Sequence, residues 1–167
     1  PAPSKTGTIP MTNITGGHVV TLEGTDVHLR DVTGATARIQ VASGNNVCDY
    51  RVPVPGRADP VAVLVTPDAS GGYSYGNPIL FPFPNRVKGG SYIFEGATHQ
   101  LDVNETARGN HIHGLVNRRP WVTEAVGADD ERGAWHRASV DLASDPEIQR
   151  QYPFGAKISV TTSLHGG

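Results

Sequence analysis

Glycine and proline account for about one residue in five of this chain, twenty and thirteen of 167, and they are spread along its whole length. Both residues interrupt regular structure, glycine through backbone freedom and proline through its missing N–H, so long helices are excluded almost everywhere. Between the interruptions lie short runs with β-branched or aromatic residues: His18 to Leu22, Ala37 to Val41, Val61 to Thr66, Tyr92 to Phe94, Gln100 to Val103, Ala138 to Leu142 and Lys157 to Leu164. These read as strands. The last alternates with period two, placing Ile158, Val160 and Thr162 on one face and Ser159, Thr161 and Ser163 on the other. One face is then buried and the other wet, the pattern of an antiparallel sheet. One short helix is expected at Asp145 to Gln151, with Asp145 as cap, Pro146 at the first helical position and Glu147 at the positive end of the dipole. Arg51 to Pro60 and Asp68 to Asn77 read as irregular connections within one unit, with no internal repeat and no interdomain linker. The expected fold class is all-β, one domain over residues 1–167.

A chain of this length can bury roughly two-thirds of its unfolded surface, so a real core is possible. With 37% hydrophobic residues and a net charge of −2, it falls in the globular class, away from disorder. Its basic and acidic residues are interspersed, and Arg118-Arg119 is too short to track a phosphate backbone, so nucleic acid is not an expected partner. No stretch approaches the run of about 18 apolar residues that a membrane span requires. The single cysteine, Cys48, can form no intrachain disulfide; it reads as a buried small residue. Pro1-Ala2-Pro3-Ser4 shows no charged-then-apolar signal pattern, so an export signal is absent or removed ahead of it. That leaves the compartment open, with the cytoplasm as the working expectation. Asn13-Ile14-Thr15 and Asn104-Glu105-Thr106 match the glycosylation sequon, a pattern common by chance.

Two segments could carry chemistry. In Pro78-Ile-Leu-Phe-Pro-Phe-Pro-Asn-Arg-Val87, prolines stiffen the backbone, aromatic residues wall it, and the polar pair Asn85-Arg86 follows at once. A guanidinium gives paired hydrogen bonds to ligand oxygens and an amide both donates and accepts, which suits a polyhydroxylated ligand. The bland alternative is that Arg86 pairs with a carboxylate and Asn85 caps a turn. The second segment is Asn110-His-Ile-His-Gly-Leu-Val116. On a strand, His111 and His113 would share a face, and either could exchange a proton near neutral pH. An HxH pair also suggests a cupin-type metal site, but the next carboxylate, Glu124, is too far along for that ligand set, so no metal is expected. For His111 a packed or surface histidine is the favoured reading.

Taken in order, the pieces are P-I-L-F-P-F-P-N-R-V, then G-G-S-Y-I-F-E-G, then H-Q-L-D-V-N, then N-H-I-H-G, then Trp121, then Y-P-F-G before a long alternating strand. Any one of them is weak, but the ordered set resembles the N-terminal half of the aldose 1-epimerases. The resemblance is clear over Asn77 to Leu164 and loose before it. It implies a large antiparallel β-sandwich, the galactose mutarotase-like supersandwich, of which this chain is the N-terminal portion. It also implies that Arg86 and Asn85 contact a sugar and that His113 is the active-site histidine of the His-Gly pair, with no metal or organic cofactor. The family's second histidine, in an Asn-His-x-Tyr type motif, and its C-terminal glutamate base are not in this sequence. The resemblance therefore implies a monosaccharide as one partner. The other is the C-terminal half, as a second chain or segment, supplying the base and covering exposed strand edges. Three further readings stay open: a non-catalytic carbohydrate-binding sandwich using Asn85, Arg86 and Trp121, a phosphosugar epimerase drawing on Arg118 and Arg119, and, against the missing carboxylate, a metal-dependent cupin-like enzyme.

Overall fold

A computed structural model describes residues 11–64 and 75–166. Six strands open the chain: β1 (Met11–Thr15), β2 (His18–Glu23), β3 (Asp26–Arg30), β4 (Thr36–Gln40), β5 (Asn46–Val52) and β6 (Val61–Leu64). They form an antiparallel meander in which each strand pairs with its sequence neighbours. Alternation fixes the buried face, because successive side chains point to opposite sides. Val20, Val27, Leu29, Ala37 and Ile39 turn inward from β2, β3 and β4. Cys48 on β5 is also buried, its thiol against the Arg38 carbonyl at 3.5 Å, and burial pushes the thiol's pKa up.

Two small two-stranded ribbons follow: β7 (Arg86–Lys88) pairs with the more distant β10 (Asn110–Ile112), and β8 (Ser91–Phe94) forms a hairpin with β9 (Ala97–Gln100). A lone two-stranded ribbon is marginal in water. The β8–β9 ribbon is pinned from Tyr92, whose hydroxyl donates to the Gln151 carbonyl at 3.0 Å and whose ring stacks on His99. A second sheet contains β11 (Val122–Asp129), β12 (Gly133–Asp141) and β13 (Lys157–Leu164), in that order. This sheet lies against β1, β2 and β3, and Ala134, Ala138, Val140 and Leu164 meet the first sheet's apolar face in one core.

Along β13 burial alternates as the sequence predicts. The strand is the outermost of its sheet, with no partner on its far edge among the described residues. Between β12 and β13 lies α1 (Pro146–Gln151), capped as expected: the Asp145 carboxylate accepts from the backbone N–H groups of Glu147 and Ile148. Six residues are too few for a stable isolated helix. Ile148, fully buried, anchors it to the core and contributes about 1.5 to 3 kcal/mol by leaving water.

Several sequence-predicted boundaries shift. Val41 leaves β4 to open a 3-10 turn, and Leu142 opens another after β12. The strand expected at Gln100 to Val103 ends at Gln100, because Leu101 turns into the core and the Asp102 N–H is taken by the Gln151 side chain at 2.8 Å. The connection read from Arg51 begins two residues later, since β5 continues to Val52 by pairing with β6. Thr66 and most of the loop expected from Asp68 lie outside the described residues.

The turn joining β11 to β12 is organised by Asp129. Its carboxylate accepts from the backbone of Glu131 and Arg132 at 3.1 and 2.7 Å, from the Arg132 Nε–H and from the Trp135 indole N–H at 2.9 Å. These bonds, led by that from the Arg132 backbone, hold its pKa at about 2, below the ordinary 3.8. A carboxylate depressed in the fold stabilises it above the unfolded value, and that stabilisation is lost as pH falls through the folded value. Asp129→Asn is therefore expected to lower the thermal midpoint at neutral pH, and the gap from the parent protein should close between about pH 4 and 2. A gap independent of pH would show that the charge is not what holds the turn.

Candidate active site

The proline-rich segment runs from an irregular stretch, with a cis bond at Phe81-Pro82, into the short strand β7. In the register of β7 and β10, Arg86 faces Ile112 and Val87 faces His111. One step beyond that ladder, Asn85 and His113 face each other. The His113 N–H donates to the Asn85 carbonyl at 3.0 Å, and the Asn85 N–H donates to His113 Nδ1 at 3.2 Å. An imidazole nitrogen thus takes the place of the backbone carbonyl that would close an ordinary antiparallel pair. With Nδ1 accepting, the neutral ring carries its proton on Nε2 and presents a donor there.

Both residues have left-handed backbones, with φ of 63° at Asn85 and 67° at His113. Asparagine and histidine enter that region more often than most side chains, but for any residue with a Cβ it costs on the order of 1 to 2 kcal/mol. Strain of this kind persists only where surrounding structure over-determines it, and it clusters at functional sites. What over-determines it here is the next residue. Gly114, also left-handed at φ 70°, lies directly on the Phe81 backbone, and the Leu115 N–H donates to the Phe81 carbonyl at 2.7 Å. The His-Gly pair and the proline-rich turn are thus fastened together, with His113 against Asn85.

Arg86 projects from β7 beside Asn85 and is paired with a carboxylate, as the bland alternative held. Its Nε–H and one Nη2–H donate to the two oxygens of Glu105, each at 2.7 Å, and Nη1 lies 3.4 Å from Asn85 Oδ1. This side-on fork leaves the Nη1/Nη2 end turned away from Glu105. The Glu105 carboxylate is also bound by Arg108 at 2.8 Å, and its pKa falls to about 2, chiefly through the Arg86 bonds. Sequence reasoning passed over Glu105 except as the middle of a sequon. Its signal is a carboxylate just before Asn110, to which its backbone is bonded in both directions.

Two expectations need correction. His111 and His113 do not share a strand face, because β10 ends at Ile112 and the left-handed His113 turns the chain. His111 itself is packed, as its favoured reading held: it is buried, with Nδ1 2.6 Å from the Asp102 carbonyl and Nε2 3.1 Å from the Gly114 carbonyl, and is no partner to His113. Trp121 is also a core residue, 5% exposed, its indole N–H donating to the Val116 carbonyl, and cannot form a sugar platform. Arg119 pairs with Asp145 at 3.2 Å, and with Arg118 it lines a cavity of about 300 Å³ that includes neither Asn85, Arg86 nor His113.

The same architecture occurs in solved structures. A galactose mutarotase-like protein from Clostridium acetobutylicum superposes with a TM-score of 0.69 at 22% identity, over 92% of this chain and 44% of that one. The galactose 1-epimerase of Lactobacillus acidophilus gives a TM-score of 0.58 at 18% identity, with the same two coverages. At such identities these likenesses speak for the fold. The Escherichia coli K12 protein YihR is 32% identical over 87 residues, 52% of this chain and 25% of its own length. The chain therefore spans less than half the length of these relatives. Residues 25–167 match the family model described as aldose 1-epimerase, further toward the N-terminus than the motifs alone reach. With the match covering most of its length, this chain belongs to the aldose 1-epimerase family.

Proposed function

We propose that this chain is the N-terminal portion of an aldose 1-epimerase, which interconverts the α and β anomers of a hexose. The observation that carries the reading is the mutual clamp of Asn85 and His113 with Arg86 beside it: an imidazole, an amide and a guanidinium fixed on one short ladder, in a chain of this family.

Anomer exchange removes the proton of the C1 hydroxyl and delivers one to the ring oxygen. The bond between C1 and the ring oxygen breaks, the C1–C2 bond rotates, and the ring recloses on the other face of C1. An acid and a base acting together are each worth about 10² to 10⁴ in rate. His113, with Nδ1 occupied by the Asn85 N–H, offers its Nε2 proton to a sugar oxygen. The outer end of Arg86 and the Asn85 side chain hold hydroxyl groups and stabilise charge as it develops on oxygen. The base and a second histidine come from the C-terminal portion, present as a further segment or a separate chain. That portion also covers the open edge of β13 and the exposed Ile93 and Phe94, 74% and 48% accessible here.

Polarimetry of freshly dissolved α-glucose or α-galactose tests the reading on the full protein, meaning this chain together with that C-terminal portion. Catalysed decay of optical rotation is the expected result. Sugar binding without any acceleration would make it a binding module instead.

A further inference from the structure

Building on the sugar-site reading above, we infer that Glu105 is a positioning residue for Arg86, setting which edge of the guanidinium meets the substrate. Arginine on a three-residue strand at the surface has several rotatable bonds and, left alone, would sample many rotamers. Glu105 removes that freedom. Its two oxygens take the Nε and Nη2 hydrogens at 2.7 Å each, a bidentate fork that fixes the guanidinium plane as well as its place. The carboxylate is itself held by two further donors, and the backbone beneath it is pinned as well. Arg108 Nη1 donates at 2.8 Å and the Asn110 side chain at 3.4 Å, while the Glu105 backbone bonds Asn110 both ways.

Asn110 begins β10, the strand that leads to His113, so Glu105 ties the guanidinium to the same ladder as the imidazole. Adjacent Asn104 reinforces the tie: its side chain accepts from the Ile112 N–H at 2.7 Å and donates to the Ile112 carbonyl at 3.0 Å. The segment carrying Glu105 is thereby fastened to both ends of β10, at Asn110 and at Ile112. The end of the guanidinium away from the carboxylate is then presented in one orientation to ligand oxygens, as near-attack placement of a substrate demands.

The test is a double-mutant cycle in the full protein, read by polarimetry, with thermal midpoints recorded for each variant. Glu105→Gln keeps the size of the side chain but replaces one acceptor by an N–H that opposes Arg86. It should lower kcat/KM between about ten- and a hundredfold when Arg86 is present. In an Arg86→Ala background it should lower it no further, because no guanidinium remains to be aimed. An equal loss in both backgrounds would mean that Glu105 acts through the general fold, and would overturn this inference while leaving the sugar site standing. Full activity in Arg86→Ala alone would remove Arg86 from the site and overturn this inference with it.

Discussion

Replacing Arg86 or His113 by alanine in the full protein is expected to cut the rate of mutarotation at least about tenfold while leaving the fold intact, the scale of one lost positioned group. The structure explains why folding should survive. Arg86 is an exposed residue of a surface strand, and its partner Glu105 keeps Arg108 and Asn110 when the guanidinium is removed. No buried charge is stranded, which is the usual route by which breaking an ion pair unfolds a protein. In His113→Ala the Asn85 N–H loses its imidazole acceptor, but Asn85 is exposed and water can replace it. Arg86→Lys should fail almost as badly as alanine, because an ammonium cannot make the planar fork with Glu105. Polarimetric rates beside circular dichroism for each variant decide the matter. Parent-like rates in both alanine variants would remove Arg86 and His113 from the site.

Gly114→Ala should have the largest effect on stability of any substitution near the site, with activity falling alongside. Two separate penalties meet there. The backbone is left-handed at φ 70°, which an alanine adopts only with strain. A methyl group would also be driven into the Phe81 backbone, both its carbonyl and its nitrogen, with no flexible side chain to yield. Relief requires the 113–115 segment to move off the proline-rich turn, breaking the Leu115 to Phe81 hydrogen bond and pulling His113 from Asn85. A loss of about 2 kcal/mol or more is expected, the range for strain at a special backbone position compounded by overpacking. Denaturant midpoints measure it. Gly109→Ala is the control: its φ of 65° is similar, but an added methyl group meets nothing within 4 Å. Equal losses at the two glycines would show that conformation alone, and not contact with Phe81, makes Gly114 necessary.

These expectations show how far the chain could be read before folding. Punctuation by glycine and proline, alternation along Lys157 to Leu164 and the Asp145-Pro146 helix start all act within a few residues, and each is found where local chemistry puts it. The Asn-Arg and His-Gly pairs stood out for the same reason, as short segments of unusual composition. Strands such as β7 and β10, three residues each, were not legible because so short a strand exists only through its partner. Trp121 looked available for a ligand because burial is not written in a residue's neighbours.

What tertiary structure alone decided is which groups meet. Asn85 and His113 lie 28 positions apart, and Arg86 and Glu105 lie 19 apart. No periodicity links residues at such separations, since side-chain spacing repeats every two or 3.6 residues and then loses track of distant segments. The sequence supplied the donors and acceptors and the glycine that permits close approach. Their pairing arose only when the core drew the two segments onto one ladder, because a hydrogen bond depends on distance and direction in space and not on order along the chain.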